Sequence, residues 1–360
     1  MDECEASDER CDDVCGDGPC ATEETCGECA EECYECISAC DGDSVCELGE
    51  TCDACAEDCG ACDDGTPCER LNAALPGELV VISGELGDDR AAEGLGCDVH
   101  AEAPGVKVTG SWSGDLRCHH CDGWVFENVE VSDGSLRMIA GDKWTIRDSL
   151  VDGGGRGIMA VVGTGSDDTA SGQATNWLIE RVTSRNGGCR PADDPYPSPV
   201  RALHIIGENG VPNFGVVRDS TFEGEGCGAT VKIGGSGDFG SWSGSPDAAD
   251  HVVFRGNTIR NVGEGVEQTA LLLSTNSDYL TIARNTLISG EHAIVASGPW
   301  SGEELEVRDN VIEAPIFMLG SLWNKPEAGA TAPLFGEKFV TYAEPGECPE
   351  VGTCVGNTRG

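Results

Sequence analysis

The sequence predicts an all-β fold, a right-handed parallel β-helix (solenoid), carried behind a small disulfide-rich N-terminal module. Three observations lead there. Seven segments between Trp124 and Arg308 share one frame of period-two alternation, although the spacing between them varies from 20 residues (Trp124 to Trp144) to 38 (Trp177 to Gly215). Ser or Asn recurs three positions beyond the inward residue in five of these segments. Finally, 15 of the 22 cysteines fall at or before Cys68, while aromatic residues make up only 5% of the 360-residue chain.

Residues 1–69 form the cysteine-rich module. Cys11-DDV-Cys15-GDGP-Cys20-ATEET-Cys26-GE-Cys29-AEE-Cys33 is followed by Cys36-ISA-Cys40-DGDSV-Cys46-ELGET-Cys52-DA-Cys55-AED-Cys59, and Cys62-DDGTP-Cys68 begins a third unit. A segment with so few large apolar residues cannot build a core, so covalent cross-links must replace it. Zinc thiolate sites are the alternative, but they belong to reducing compartments and do not need a six-cysteine frame. Acids recur at matched places in the two units: Asp17 with Asp43, Glu24 with Glu50, and Glu32 with Asp58. Carboxylates fixed in a disulfide loop suit Ca²⁺, although any repeat also copies its surface acids. Residues 11–68 resemble the CGDGxC…GExCxxCxxDCG repeats of secreted bacterial proteins, and the resemblance implies a spacer or attachment module.

Residues 70–325 are the expected β-helix. Ile146, Ile179, Val217, Phe254, Ile282 and Val307 form one inward column, and Trp124, Trp144 and Trp177 another. Ser149, Ser220, Asn257, Asn285 and Asn310 follow three positions on. A buried stack of such side chains, bonding from coil to coil, would satisfy the turn there. Leucine-rich repeats would need leucines at short fixed spacing; variable insertion is normal when only the strands must stack. Leu75-Pro-Gly-Glu-Leu-Val-Val-Ile-Ser-Gly84 also resembles the opening of right-handed parallel β-helices of the pectate-lyase-like type.

The remaining cysteines fit this frame. Cys189 and Cys227 each lie ten residues beyond an inward residue, Ile179 and Val217, so they occupy matched places in successive coils about 4.8 Å apart and are expected to pair. Residues 326–360 form a C-terminal tail in which Cys348 and Cys354 close a loop. Cysteine parity calls for a bond from the module, with Cys68 the candidate, to the first coils. Cys118-His-His-Cys121 invites a metal, but the same parity favours a cystine.

Each coil carries a second strand: Leu136-RMIAG, Ile158-MAVVG, Leu203-HIIG, Val231-KIGG, Leu271-LLST, Ile294-VASG and Ile316-FMLG. If the first residue of each faces inward, the next faces out, and the outward column reads Arg137, Met159, His204, Lys232, Leu272, Val295, Phe317. The long insertions 163–176, 187–200 and 234–250 border this strand and would wall a groove suited to an extended polymer. Gly-Ser-Trp112-Ser-Gly and Gly-Ser-Trp242-Ser-Gly repeat, with Gly-Pro-Trp300-Ser-Gly close to them. Their indoles are candidate stacking platforms for sugar faces, unless each pins its own loop.

Pectate-lyase-like β-helices include polysaccharide lyases, hydrolases, epimerases and non-catalytic adhesins, so function must be read from the site. β-Elimination on a polyuronate needs a cation on the carboxylate and a base for the adjacent C5 proton. Lys232 is the expected base, His204 the acid or second base, and Arg137 or Arg156 the carboxylate clamp. Glycoside hydrolysis needs paired carboxylates, which the outward column lacks, and the Asp-Pro-His run of alginate epimerases is absent. The expectation is an exported, polysaccharide-binding, carbohydrate-active protein, with lyase the leading enzymatic reading. A cell-surface adhesion or extracellular structural protein is the alternative.

Charge bounds the partners. Acids outnumber bases 65 to 22, for a net charge of −43, and only five residues are lysine. That opposes nucleic-acid binding and leaves a polysaccharide or cell-surface glycan as the expected partner. The acid-rich surface suits salty water, calcium binding or simple solubility. Calcium is the one cofactor the residues suggest; nothing calls for an organic one. No apolar run approaches the roughly 18–20 residues of a membrane span. The cysteine density implies an oxidising compartment, and since the opening Met1-Asp-Glu-Cys lacks a signal peptide, the chain is read as a mature secreted or surface form.

Overall fold

The computed structural model describes residues 66–86, 96–153, 157–161, 174–187, 201–206, 213–225, 228–234, 249–263, 268–274, 277, 279–297, 304–322, 339–343 and 353–360. The cysteine repeats, with Asp17, Glu24, Asp43, Glu50 and Asp58, lie outside them. Residues 67–360 form one compact unit, distinct from 1–66. No helix among the described residues is long and apolar enough to cross a membrane.

The unit is an all-β parallel solenoid. Its 17-stranded sheet supplies two faces of each coil. One face contains Thr145–Arg147, Leu178–Glu180, Val216–Arg218, Val253–Arg255, Leu280–Ala283, Leu305–Arg308 and Thr353–Val355; the next contains Leu150–Asp152, Thr183–Gly187, Thr221–Gly224, Thr258–Asn261, Thr286–Ser289, Val311–Glu313 and Thr358–Arg359. The two are one sheet because the long strand Val125–Ser132 pairs with both Thr145–Arg147 and Leu150–Asp152. A 10-stranded sheet forms the third face, from Cys97–His100 through Ile316–Leu322, with Phe339–Ala343 added antiparallel at its end.

Strand register follows the apolar columns. Ile146, Ile179, Val217, Phe254, Ile282 and Val307 are directly opposed in successive strands and fully buried. Trp144 and Trp177 stack with ring centroids 5.2 Å apart and planes 4° from parallel. Trp124, also buried, donates its indole N–H to the Ala103 carbonyl at 2.7 Å. The next coil places Gly215 at this level, where a Cβ would stand 2.1 Å from the Trp177 ring. The stack of large rings therefore ends on a residue with no side chain.

At the corner between the two faces of the large sheet, the buried polar column forms as expected and runs one coil further. Asn257 accepts from the Ser220 N–H at 3.0 Å, Asn285 from the Asn257 N–H at 2.9 Å, Asn310 from the Asn285 N–H at 2.9 Å, and Asn357 from the Asn310 N–H at 3.0 Å. Each amide NH₂ also reaches back to a carbonyl, as from Asn285 to Phe254 at 3.0 Å. Ahead of each ladder residue stands one with a left-handed backbone, among them Asp148, Asp219, Arg284 and Asp309, with φ between 50° and 56°; Arg181 (φ 51°) takes the same place before Val182, the apolar residue that interrupts the column. The corner fixes that conformation, and the side-chain amide bonds the N–H group that the turn removes from the strand ladder.

Residues 353–360 thus complete a further coil beyond the repeats legible in the sequence, with Thr353–Val355 pairing Leu305–Arg308 and Asn357 closing the ladder. Cys354 lies in this strand opposite Val307; Cys348, Cys189 and Cys227 lie outside the described residues.

Two stability predictions follow from these contacts. Asn285→Ala leaves buried donors of Asn257 unmatched and is expected to cost about 3 kcal/mol in denaturant unfolding. Gly215→Ala forces its methyl into Trp177 and is expected to cost about 1–3 kcal/mol by the same measurement.

Candidate functional site

The outer face of the 10-stranded sheet gathers the catalytic candidates. Arg137 is opposite Met159, Met159 opposite His204, and His204 opposite Lys232, so the four share one register position in consecutive strands, the position that Arg137, His204 and Lys232 turn outward. With strands about 4.8 Å apart, Arg137 and Lys232 are separated by three strand spacings. The column continues through Leu272 and Val295 to Leu319. Phe317 is therefore not its last member: Ile294 pairs Met318, two residues beyond the Ile316 that the repeat suggests, and the register shift places Phe317 opposite Ala293.

The column is graded in exposure. Arg137 and His204 are half-buried, whereas Lys232 is 4% exposed, with Thr230, Ala270 and Leu272 around it also buried. The strand Ala229–Ile233 is covered on both sides, so its outer face is not open sheet. Trp112, expected as a sugar-stacking platform on a loop, requires correction. It lies within the strand Lys107–Ser113, is 2% exposed and belongs to the core. The alternation Val108, Gly110, Trp112 carries the indole inward, where it offers no face to a ligand. Arg156, Trp242 and Trp300 lie outside the described residues.

At the N-terminal end the same outward parity brings in residues that the sequence reading stopped short of. Asp98 is opposite Arg117 and Arg117 opposite Arg137, while His100 is opposite His119 two positions on. The His100 and His119 rings stack at 4.6 Å, and both Arg117 and the His119 Nε2 stand 3.6 Å from the Asp98 carboxylate. Buried Ser135 donates its hydroxyl to buried Asp115 at 2.5 Å. Extending the in–out alternation from Leu136 back to Leu116 and Cys97 would have found them.

Disulfides frame this end. Cys68 is bonded to Cys97, and Cys118 to Cys121. The second bond removes the thiolates a metal would need from the Cys-His-His-Cys run, and the first joins the short helix Pro67–Asn72 to the first strand of the 10-stranded sheet. Asn72 completes that junction, donating to the Asp98 carbonyl at 3.0 Å and accepting from the His100 N–H at 2.9 Å. No group of three or more metal-ligating side chains is present among the described residues.

Elsewhere several acids are matched by fixed donors. On the outer side of the large sheet Glu127, Arg147, Glu180 and Arg218 alternate in register, with Arg147 2.9 Å from Glu127 and Arg218 2.8 Å from Glu180. Burial pushes the Glu180 carboxyl up, but hydrogen bonds from Arg218 and Arg181 outweigh it and leave the group below its ordinary value. Asp148 is lowered by its hydrogen bonds with Arg181. Asp142 accepts from Asn176, Lys143 and Thr175, which bring its carboxyl down to about 2. A carboxyl depressed in the fold adds stability that is complete above its ordinary value and lost as pH falls through the folded value. The melting temperature is therefore expected to fall between about pH 4 and pH 2, and Asp142→Asn to flatten part of that fall in melts followed by circular dichroism.

No protein-family model, curated protein or solved structure matches the chain.

Proposed function

We propose that the chain is an exported carbohydrate-active protein, of the pectate-lyase-like type, that binds an extended acidic polysaccharide along the outer face of the 10-stranded sheet and cleaves it by β-elimination. The observation that carries this reading is the register of Arg117, Arg137, His204 and Lys232 at one outward position, in a protein whose net charge is −43. Cations repeated at the strand pitch suit the repeated carboxylates of a polyuronate. The disulfides Cys68–Cys97 and Cys118–Cys121 support export.

In the proposed reaction, an arginine neutralises the uronate carboxylate and so acidifies the C5 proton. Lys232 removes that proton, the C4–O bond breaks, and a C4=C5 double bond forms. The departing oxygen takes its proton from His204 or water. Calcium, held by Asp17, Glu24, Asp43, Glu50 and Asp58 of the cysteine module, is the proposed counter-ion for the acidic surface.

The burial of Lys232 favours a second reading, in which its amine serves the structure and the face binds glycan without cutting it, as in an adhesion or extracellular structural protein. Incubation with a panel of polyuronates, with and without Ca²⁺, separates the two. The enzyme is expected to raise the ultraviolet absorbance of the conjugated unsaturated acid, and Lys232→Ala to abolish the rise. No rise on any polymer supports the non-catalytic reading; a rise that survives both Lys232→Ala and His204→Ala moves the chemistry to another site.

A further inference from the structure

Two stretches of the large sheet repeat one arrangement of arginines but not of acids. Arg147, Glu180 and Arg218 are directly opposed in three successive strands, and Arg255, Ala283 and Arg308 are directly opposed in three later ones. In each stretch the middle strand is followed by a left-handed arginine, Arg181 (φ 51°) or Arg284 (φ 56°). The corner of the coil before holds Asp148 in the first stretch and Gly256 in the second. Their backbone N–H groups donate to the carbonyls of Glu180 and Ala283, at 3.2 and 3.1 Å. The three arginines therefore keep their places, and both acids give way to residues without a carboxyl group.

The first stretch shows what such an arrangement holds. Arg181 stands 3.0 Å from the Glu180 carboxylate and Arg218 donates to it at 2.8 Å, while Arg181 also donates to Asp148 at 2.6 and 2.8 Å. In the second stretch Arg255 and Arg284 are exposed and form no ion pair or side-chain hydrogen bond among the described residues. Arg308 turns to Glu306 at 2.8 Å and to Asp309 at 3.2 Å. Asp219 leans over Gly256, where a Cβ would stand 2.6 Å from its Oδ1, but pairs with neither Arg255 nor Arg284. Arg255 is also directly opposed to Arg218, and like charges so placed destabilise a sheet. Acids outnumber bases 65 to 22 in this chain, yet none stands at 256 or 283. Ala283 is 3% exposed although alternation turns it outward, so its methyl lies beneath its longer neighbours.

We infer that Arg255, Arg284 and Arg308 bind the carboxylate of an external acid above Ala283, in the place that the Glu180 carboxylate takes between Arg181 and Arg218. A guanidinium fork matches the two oxygens of a carboxylate, and the fold repeats the backbone that positions the forks. Asp219, Glu306 and Asp309 offset the three cations, which suits a monoanion and opposes the double charge of a phosphate monoester. The site belongs to the large sheet and the cationic column to the 10-stranded sheet, so it stands or falls separately from the proposed elimination.

Thermal melts of the full chain in sodium acetate, sodium glucuronate and a sodium polyuronate, each against sodium chloride at equal ionic strength, test it. At least one carboxylate is expected to raise the melting temperature. Arg255→Ala and Arg284→Ala are each expected to raise the half-saturating concentration about tenfold, while Arg260→Ala, at an exposed arginine outside the site, responds as the parent does. A rise with acetate or glucuronate assigns the site to a small free acid, and a rise with the polyuronate alone assigns it to a polymer. Ala283→Glu supplies the carboxylate within the chain; it is expected to melt about 1–3 °C above Ala283→Gln in chloride and to lose the response to added acid. The inference is overturned if no carboxylate shifts the melt beyond chloride, or if both arginine variants respond as the parent does. Equal melting of Ala283→Glu and Ala283→Gln, with the response intact, overturns it as well.

Discussion

Coil stacking in this protein depends on a corner that must turn the chain, bury its own polar backbone and still repeat at the spacing of a β-sheet. The column from Ser220 to Asn357 meets all three demands. Each amide oxygen takes the N–H of the coil before it, and the amide nitrogens of Asn257, Asn285 and Asn310 bond both the next ladder member and a strand carbonyl. A left-handed residue one step earlier aims the side chain inward. From Ser220 to Asn357 each member bonds its neighbour, and strand pairing in register across the 10-stranded sheet sets Arg117, Arg137, His204 and Lys232 in one line. A one-residue slip would turn that line into the core.

Most of this was legible because a parallel solenoid writes its geometry into repetition. Ile146 through Val307 share a frame, and the Ser/Asn column sits at a fixed offset from it. Two features were not. The left-handed corner residues include Asp, Arg and Gly, so no residue type marks them; the constraint is on backbone angle, and side chains merely tolerate it. The last coil was also hidden, because residues 323–352 intervene before Thr353–Val355 and break the spacing.

The site shows a similar division. Parity within a strand correctly aligned Arg137, His204 and Lys232, since alternation is a local property. It misjudged the final strand by two residues, because Ile316–Leu322 offers several apolar residues that fit the repeat and only pairing with His292–Ser297 sets Met318 opposite Ile294. Trp112 was misread for another reason. Its Gly-Ser-Trp-Ser-Gly surroundings look like a loop by composition, yet they run as a strand between Leu79–Glu85 and Val125–Ser132. Burial of Lys232 is a tertiary outcome that its own strand does not encode.

A stack of parallel strands has no intrinsic reason to stop, since its last coil presents the same row of unsatisfied N–H and C=O groups as every coil before it. Here the terminal strand of the 10-stranded sheet is met by Phe339–Ala343 running the opposite way. In the large sheet the last described strands, Thr353–Val355 and Thr358–Arg359, are only three and two residues long. A reversed strand offers the wrong hydrogen-bond pattern to another parallel coil, and very short edges offer too few bonds to template one. The antiparallel Phe339–Ala343 therefore denies that edge of the 10-stranded sheet to a further parallel strand, and with it to the stacking of another coil there.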